Sequence, residues 1–176
     1  DPQTALEDLS EALALDPGNY EFRITRGLAH RAAKKDAEAL SDFSAAIRLD
    51  PSRPTGYNQR GLTHFFAKAY AEAEADFGRA IDAAPTDPVL WGNRADARDQ
   101  QKKFDAAAAD WAKAADLAPW DSHYANKCGL SLSSAGKHDL AAKIFLEAAN
   151  RSGGHPVHVS NAADALRDAG DLTRSV

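Results

Sequence analysis

The chain has 176 residues, 44% of them hydrophobic and 27% charged, which is the balance of a globular protein and excludes a disordered one. A net charge of −5 lacks the positive surplus with which nucleic-acid-binding proteins neutralise phosphates, and a single cysteine, Cys128, excludes an internal disulfide and a thiolate-based zinc site. The chain also lacks a run of about 18 apolar residues, so we expect a soluble protein without membrane insertion.

A repeat of fixed length organises the chain. Prolines recur every 34 residues, and two series of alanines, one of large apolar residues and one of Gly or Ala recur at the same step. Within each unit the first alanine, the large residue and the second alanine are spaced i, i+4 and i+7, so they share one stripe of a helix. The Gly or Ala marks an earlier helix, and its small size indicates that a neighbouring helix approaches closely. The five series are Pro17, Pro51, Pro85, Pro119; Ala5, Ala39, Ala73, Ala107, Ala141; Leu9, Phe43, Phe77, Trp111, Phe145; Ala12, Ala46, Ala80, Ala114, Ala148; and Gly27, Gly61, Ala95, Gly129, Ala163.

Taken in chain order, these series predict alternating first and second helices. Short polar breaks such as "KKD" at 34–36 separate the two helices of a unit, and the recurring proline ends the second. We expect Pro54, Pro88 and Pro156 to open first helices, with Asp87 as a cap, and the last of these helices to run to Gly170. The array begins and ends in mid-unit without polar capping helices, so we expect it to be a segment of a longer protein. The predicted parts are a second helix of a partial repeat at 1–19, full repeats at 20–53, 54–87, 88–121 and 122–155, and the first helix of a further repeat at 156–176.

This pattern resembles the tetratricopeptide repeat (TPR) family, which has the same 34-residue helix-turn-helix period. The matching residues in one unit are Gly27, Ala39, Phe43, Ala46 and Pro51. The resemblance covers the whole chain as a single array. It implies an all-α fold, a right-handed superhelical solenoid of antiparallel helix pairs.

Residues that could carry chemistry have simpler explanations as packing residues. Cys128 precedes Gly129 on a packing side and is expected to be an inert thiol. His30 and His64 occupy equivalent positions in successive repeats and are expected to pack. His155 and His158 are three residues apart but have no third metal ligand near them. The sequence therefore predicts no catalytic residue, no cofactor and no metal.

The resemblance implies that first helices line a concave groove, with the residue two before each small Gly or Ala pointing into it. A row of amides there suits a peptide backbone, because each amide offers a donor and an acceptor. The same residues can equally be polar side chains on a wet surface. Consecutive helical residues point about 100° apart, so one aromatic of the pair Phe65 and Phe66 should leave the packing seam, and either a groove anchor or a repeat contact explains it. The predicted groove residues are Asn58, Gln59, Phe65, Phe66, Asn93, Asn126 and Lys127, with Thr25 and Asn161 in the same row.

The family's carboxylate clamp, which holds acidic C-terminal tails, is not expected here. Only Asn93 matches it outright, because Leu62 and His123 stand where the resemblance implies full charges.

The resemblance favours a non-catalytic protein-protein interaction scaffold that binds a peptide segment or helix in the groove. One alternative is a self-assembling array, a homo-oligomer joined through the uncapped terminal helices. Another is a substrate-recruiting arm of a larger enzyme. The expected partner is a protein or peptide, with no nucleic acid.

Overall fold

The structure is a computed structural model that describes the backbone of residues 2–174 and the side chains of residues 4–170. Helices account for nearly all of the described chain, and residues 2–174 contain no β-strand. The all-α prediction is therefore confirmed. The helices are α1 (Pro2–Leu15), α2 (Tyr20–Ala32), α3 (Asp36–Leu49), α4 (Pro54–Phe66), α5 (Tyr70–Ala83), α6 (Pro88–Gln100), α7 (Phe104–Leu117), α8 (Ser122–Ser134), α9 (His138–Arg151) and α10 (Pro156–Arg174).

Helix starts follow the predicted punctuation. Pro54 and Pro88 occupy the first turn of α4 and α6, where a missing N–H costs nothing. Asp87 caps α6 by accepting a hydrogen bond from the Val89 amide at 2.9 Å, and Asp121 caps α8 in the same way. The first helices consequently begin 34 residues apart, at 20, 54, 88, 122 and 156.

A residue in the left-handed backbone conformation follows each of the first helices α2, α4, α6 and α8. Lys34, Lys68 and Lys102 have φ between 58° and 62°, and Gly136 has φ 75°. In each turn the next amide bonds to a carbonyl five residues back, as Lys103 does to Arg98 at 2.9 Å. This arrangement satisfies the last carbonyls of the helix and turns the chain back onto it.

The chain divides into two compact units, Asp1–Pro85 and Thr86–Val176, named here the first and second unit. In each unit the small residue of a first helix faces the aromatic residue of the following second helix. A Cβ added at Gly27 would lie 2.6 Å from the Phe43 ring, and one at Gly129 would lie 2.5 Å from the Phe145 ring. The predicted close approach is therefore confirmed, and the approaching group is an aromatic side chain.

The outer helices differ from the predicted stripe. Ala5 and Ala163 are exposed and Leu9 is half-buried, whereas Phe43 and the inner alanines of the same series are fully buried. In the full repeats, each residue of these series packs against the other helix of the same repeat. Helices α1 and α10 belong to partial repeats and have no such partner helix among the described residues. Helix α10 also continues past Gly170 to Arg174, so the predicted end at Gly170 is wrong.

Candidate functional site

The seven predicted groove residues divide between the units. The four of the first unit lie on α4, and the three of the second unit lie on α6 and α8. The first-unit residues are Asn58, Gln59, Phe65 and Phe66; the second-unit residues are Asn93, Asn126 and Lys127.

The ends of α2 and α4 enclose a surface depression of about 530 Å³ in the first unit. Phe66 stands at its edge with 70% of its surface exposed, and Leu28 is 36% exposed. Phe65 is half-buried instead, with its ring edge-on to the rings of Phe66 and Tyr70 at 5.8 and 5.5 Å. The prediction that only one of the two phenylalanines occupies the packing seam is therefore confirmed. The depression is lined by Leu28, Arg31, Ala32, Lys34, Asp36 and Phe66.

Arg31 is one of two cationic residues on the wall of this depression, and the other is Lys34. Its Nη1 donates to the Gln59 carbonyl at 3.3 Å, and its guanidinium carbon lies 5.9 Å from the centre of the Phe43 ring. Burial lowers the pKa of Arg31, and the nearby Asp36 charge offsets this only in part. The positive charge is thus partly desolvated and incompletely compensated.

Gln59 lies on α4, within hydrogen-bond distance of Arg31 on α2. Its carbonyl accepts from Arg31 and from Thr63 Oγ1, the latter at 2.9 Å. Its side-chain Oε1 is buried without a hydrogen-bond partner in the described structure. Asn58 is half-buried and has other polar contacts.

The predicted residues of the second unit are held by bonds between helices. Asn126 Oδ1 accepts from Asn161 Nδ2 at 2.9 Å and lies 3.0 Å from His158 Nδ1. Lys127 Nζ lies 2.9 Å from Asp96 Oδ1 and 5.1 Å from the centre of the Trp111 ring. Asn93 is half-buried and also has polar contacts. Asn126 and Lys127 already bond within the unit, so a ligand would have to exchange with those contacts.

The first three full repeats, named here the inner repeats, carry buried ion pairs on their packing side. Arg26 binds Asp42 through Nε and Nη2 at 2.8 and 2.7 Å, and Arg60 and Arg94 bind Asp76 and Asp110 with the same geometry. These carboxylates recur at the 34-residue step, a signal that the sequence interpretation missed. In the fourth repeat the two positions are Cys128 and Ile144.

The packing predictions for the cysteine and two histidines are confirmed. Cys128 is 4% exposed, its thiol lies 3.4 Å from the Ala108 carbonyl, and burial raises its pKa to about 11. His30 and His64 are half-buried beside the aspartates of the ion pairs, with Nε2 3.8 Å from Asp42 Oδ2 and 4.0 Å from Asp76 Oδ2. A nucleophile with so high a pKa is almost wholly protonated near neutral pH.

The described residues hold neither a metal-type cluster nor a membrane span. Within residues 4–170, His, Cys, Asp and Glu side chains form no group of three that could hold a metal ion. His158 is 7% exposed, lies 3.2 Å from Ser122 Oγ through Nε2, and has its pKa lowered by burial and by His155 and His123. None of the described helices has both the length and the apolar character needed to cross a bilayer.

Of the six residues that line the depression, only Phe66 was predicted as a groove residue, and Leu28 and Arg31 are among those that were missed. Leu28 has an equivalent in Leu62, but the positions equivalent to Arg31 carry Phe65 and Asp99. The repeat step therefore gave no signal for an arginine at this place. Only the contact between the ends of α2 and α4 shows that Arg31 lies beside Phe66.

Comparison with known proteins agrees with this architecture. The tetratricopeptide repeat family model matches residues 1–54 and 58–122, more than half of the chain. The chain belongs to the tetratricopeptide repeat family. Proteins of this family are generally non-catalytic scaffolds for protein-protein interaction. None of the curated proteins compared matches this TPR chain.

Solved structures show the same TPR fold at low sequence identity. MamA superposes with a TM-score of 0.80 at 20% identity over 87% of this chain and 84% of its own. YrrB, described as a TPR protein with an unusual peptide-binding site, superposes with a TM-score of 0.77 at 21% identity over 91% and 82%. A TPR protein from Parabacteroides merdae has a TM-score of 0.79 at 19% identity over 99% of this chain and 69% of its own.

Proposed function

We propose that this TPR chain is a non-catalytic interaction scaffold that binds a peptide segment of a partner protein on the surface of its first helices, with Phe66 as the anchor. The observation that carries the proposal is the 70% exposure of Phe66 at the edge of the depression between α2 and α4. An exposed phenylalanine beside a depression with a leucine on its wall forms an apolar surface of the kind that marks protein-protein interaction sites.

Side-chain amides have a supporting role in this proposal. Asn58 and Gln59 lie on α4 of the first unit and Asn93 lies on α6 of the second unit, and in either unit a side-chain amide can pair a peptide C=O and N–H. Asn126 and Lys127 contribute only if a ligand exchanges with His158, Asn161 and Asp96. The similarity to YrrB, a TPR protein with an unusual peptide-binding site, supports the proposed type of ligand.

The test is affinity capture from the source lysate with the wild-type chain and with Phe66→Ala, followed by titration of the captured protein in purified form. We expect Phe66→Ala to weaken binding by about tenfold or more, as truncation of an aromatic hot spot does. Leu15→Ala is the matched control, because Leu15 is an 84% exposed apolar residue on α1. Equal affinity of the wild type and Phe66→Ala for the purified partner would contradict the assignment of Phe66.

Self-assembly is the second candidate, favoured by an apolar stripe of α10. Val159, Ala163 and Leu166 are spaced i, i+4 and i+7 and are all exposed. If α1 of a second copy covered the stripe in the register of an inner repeat, Asp8 would occupy the place of Asp42 and would face Ala162 where an inner repeat has an arginine. An unpaired carboxylate in that contact is unfavourable, which makes self-assembly the weaker proposal. Light scattering at two concentrations tests it, and a mass that stays monomeric at the higher concentration contradicts it.

The grouping of residues 1–176 into a single array, and a recruiting role for a larger enzyme, both stay predictions.

A further inference from the structure

We propose that the depression between α2 and α4 selects an acidic peptide segment, in which an Asp or Glu side chain binds Arg31 and an adjacent apolar side chain packs on Phe66 and Leu28. This inference rests on the proposed function, because it assigns the class of peptide that the same surface takes. The occupant is a side-chain carboxylate of a partner protein next to an aliphatic or aromatic residue.

The first step of the argument is the state of the Arg31 charge. Every other half-buried arginine in the first unit has a carboxylate partner: Arg23 and Arg26 pair with Asp42, Arg60 with Asp76, and Arg53 with Glu21. Among the residues described, Arg31 has none within 4.0 Å, and the bond to the Gln59 carbonyl is the one hydrogen bond of its guanidinium. A guanidinium has five N–H donors, so most of the donors of Arg31 are available to a ligand.

The second step is the environment of that charge. Arg31 is partly buried, and desolvation lowers its pKa because the surrounding protein does not fully compensate the positive form. A carboxylate that reaches it would form a charge-assisted hydrogen bond in a partly desolvated setting, where such bonds are stronger than on an open surface. Lys34 adds a second positive charge to the lining and Asp36 one negative charge, so the lining carries a net charge of +1.

The third step is the apolar part of the wall. Phe66, Leu28 and Ala32 line the same depression as Arg31, and a carboxylate alone would leave the exposed Phe66 ring uncovered. Covering that ring requires an apolar side chain next to the acidic one. The two features together select an acidic residue adjacent to an apolar residue and disfavour a basic segment.

The experiment uses NMR titration of the full isotope-labelled chain with three acetylated and amidated hexapeptides, Gly-Ser-Glu-Phe-Ser-Gly and its versions with Gln or Lys in place of Glu. We expect the Glu peptide to shift the Leu28 methyl and Phe66 ring resonances and to bind about tenfold more tightly than the Gln peptide at low salt. The preference should shrink at high salt, and the Lys peptide should bind most weakly.

Three variants locate the effect. Arg31→Gln should abolish the preference for Glu over Gln, whereas Arg48→Gln, which removes the same charge from an exposed position on α3, should leave it intact. Phe66→Ala should weaken the Glu and Gln peptides alike. The salt dependence of the wild-type chain and the binding by Phe66→Ala are both measured on chains that keep Arg31. They therefore test the proposal even if Arg31→Gln does not fold.

The outcomes separate this inference from the function on which it rests. Equal binding of the Glu and Gln peptides, with shifts at Leu28 and Phe66, would overturn the acidic selection and leave peptide binding standing. Shifts at neither residue with any of the peptides would contradict both. Tighter binding by Gly-Ser-Gln-Phe with a free C-terminal carboxylate than by the Glu peptide would overturn the assignment to a side-chain carboxylate.

Discussion

The first three full repeats have an ion pair at a packing position where the fourth repeat has a cysteine and an isoleucine. In the repeats at 20–53, 54–87 and 88–121, an arginine of the first helix binds a buried aspartate of the second. The aspartates are only 2 to 6% exposed. In the repeat at 122–155 the same two positions hold Cys128 and Ile144, next to an apolar depression of about 370 Å³ that Leu132 and Leu140 also line.

The difference shows that the TPR backbone does not require the ion pair. Helices α8 and α9 pair and turn as the inner helices do, and Gly129 meets Phe145 as Gly27 meets Phe43. The small-to-aromatic contact is therefore common to both kinds of repeat, whereas the polar pair is an alternative to apolar packing. A buried ion pair and apolar side chains of similar volume often stabilise a protein to a similar degree, and the large cost arises when one ion loses its partner.

The strongest way to break this comparison is to remove a buried carboxylate. Asp110→Ala leaves Arg94 and Arg98 without the oxygens that they bind at 2.8 Å, and we expect the free energy of unfolding to fall by about 3 to 5 kcal/mol. Urea denaturation followed by circular dichroism measures the loss. Asp105→Ala is the control, because its pair with Lys137 is exposed and its removal should cost about 0.2 to 1 kcal/mol. Similar losses for both variants would contradict the structural role of the buried pair.

A transplant sharpens the comparison in the fourth repeat. Ile144→Asp places the carboxylate of the first three full repeats opposite Cys128, which stands where those repeats have the partner arginine, and we expect it to cost about 2 kcal/mol of unfolding free energy. Adding Cys128→Arg should recover about 1 kcal/mol or more of this, because the neighbouring depression has room for the longer side chain. A double-mutant cycle with both single variants measures the coupling. A coupling of zero would mean that the fourth repeat cannot accommodate the inner pair.

The smallest expected difference concerns the turns. Lys102 has φ 60° where the fourth repeat has Gly136, and an L side chain in this left-handed conformation is strained. We expect Lys102→Gly to stabilise the chain by about 0.5 to 1 kcal/mol and Gly136→Lys to destabilise it by a similar amount. Thermal unfolding of both variants measures the change. Lys103→Gly, one residue along at φ −84°, should destabilise instead, and stabilisation by it would refute the conformational explanation.

Most of the fold was predictable from local and periodic features. The 34-residue step of Pro51, Phe43 and Gly27 specified where helices begin, end and pack, because each TPR unit repeats the same short-range contacts. Helix α10 continues past Gly170 to Arg174, so the glycine near the end of the pattern did not mark the end of this helix.

The candidate site was less accessible to sequence interpretation. Phe66 could be identified as unusual from its adjacency to Phe65, but Arg31 lies on the preceding first helix and has no counterpart at the repeat step. The fixed period determined the family, the helices and the buried aromatics, because those contacts recur in every unit. Only the tertiary structure decided that Arg31 lacks a carboxylate partner among the described side chains and lies beside an exposed Phe66, because both facts depend on contacts between helices that the repeat does not specify.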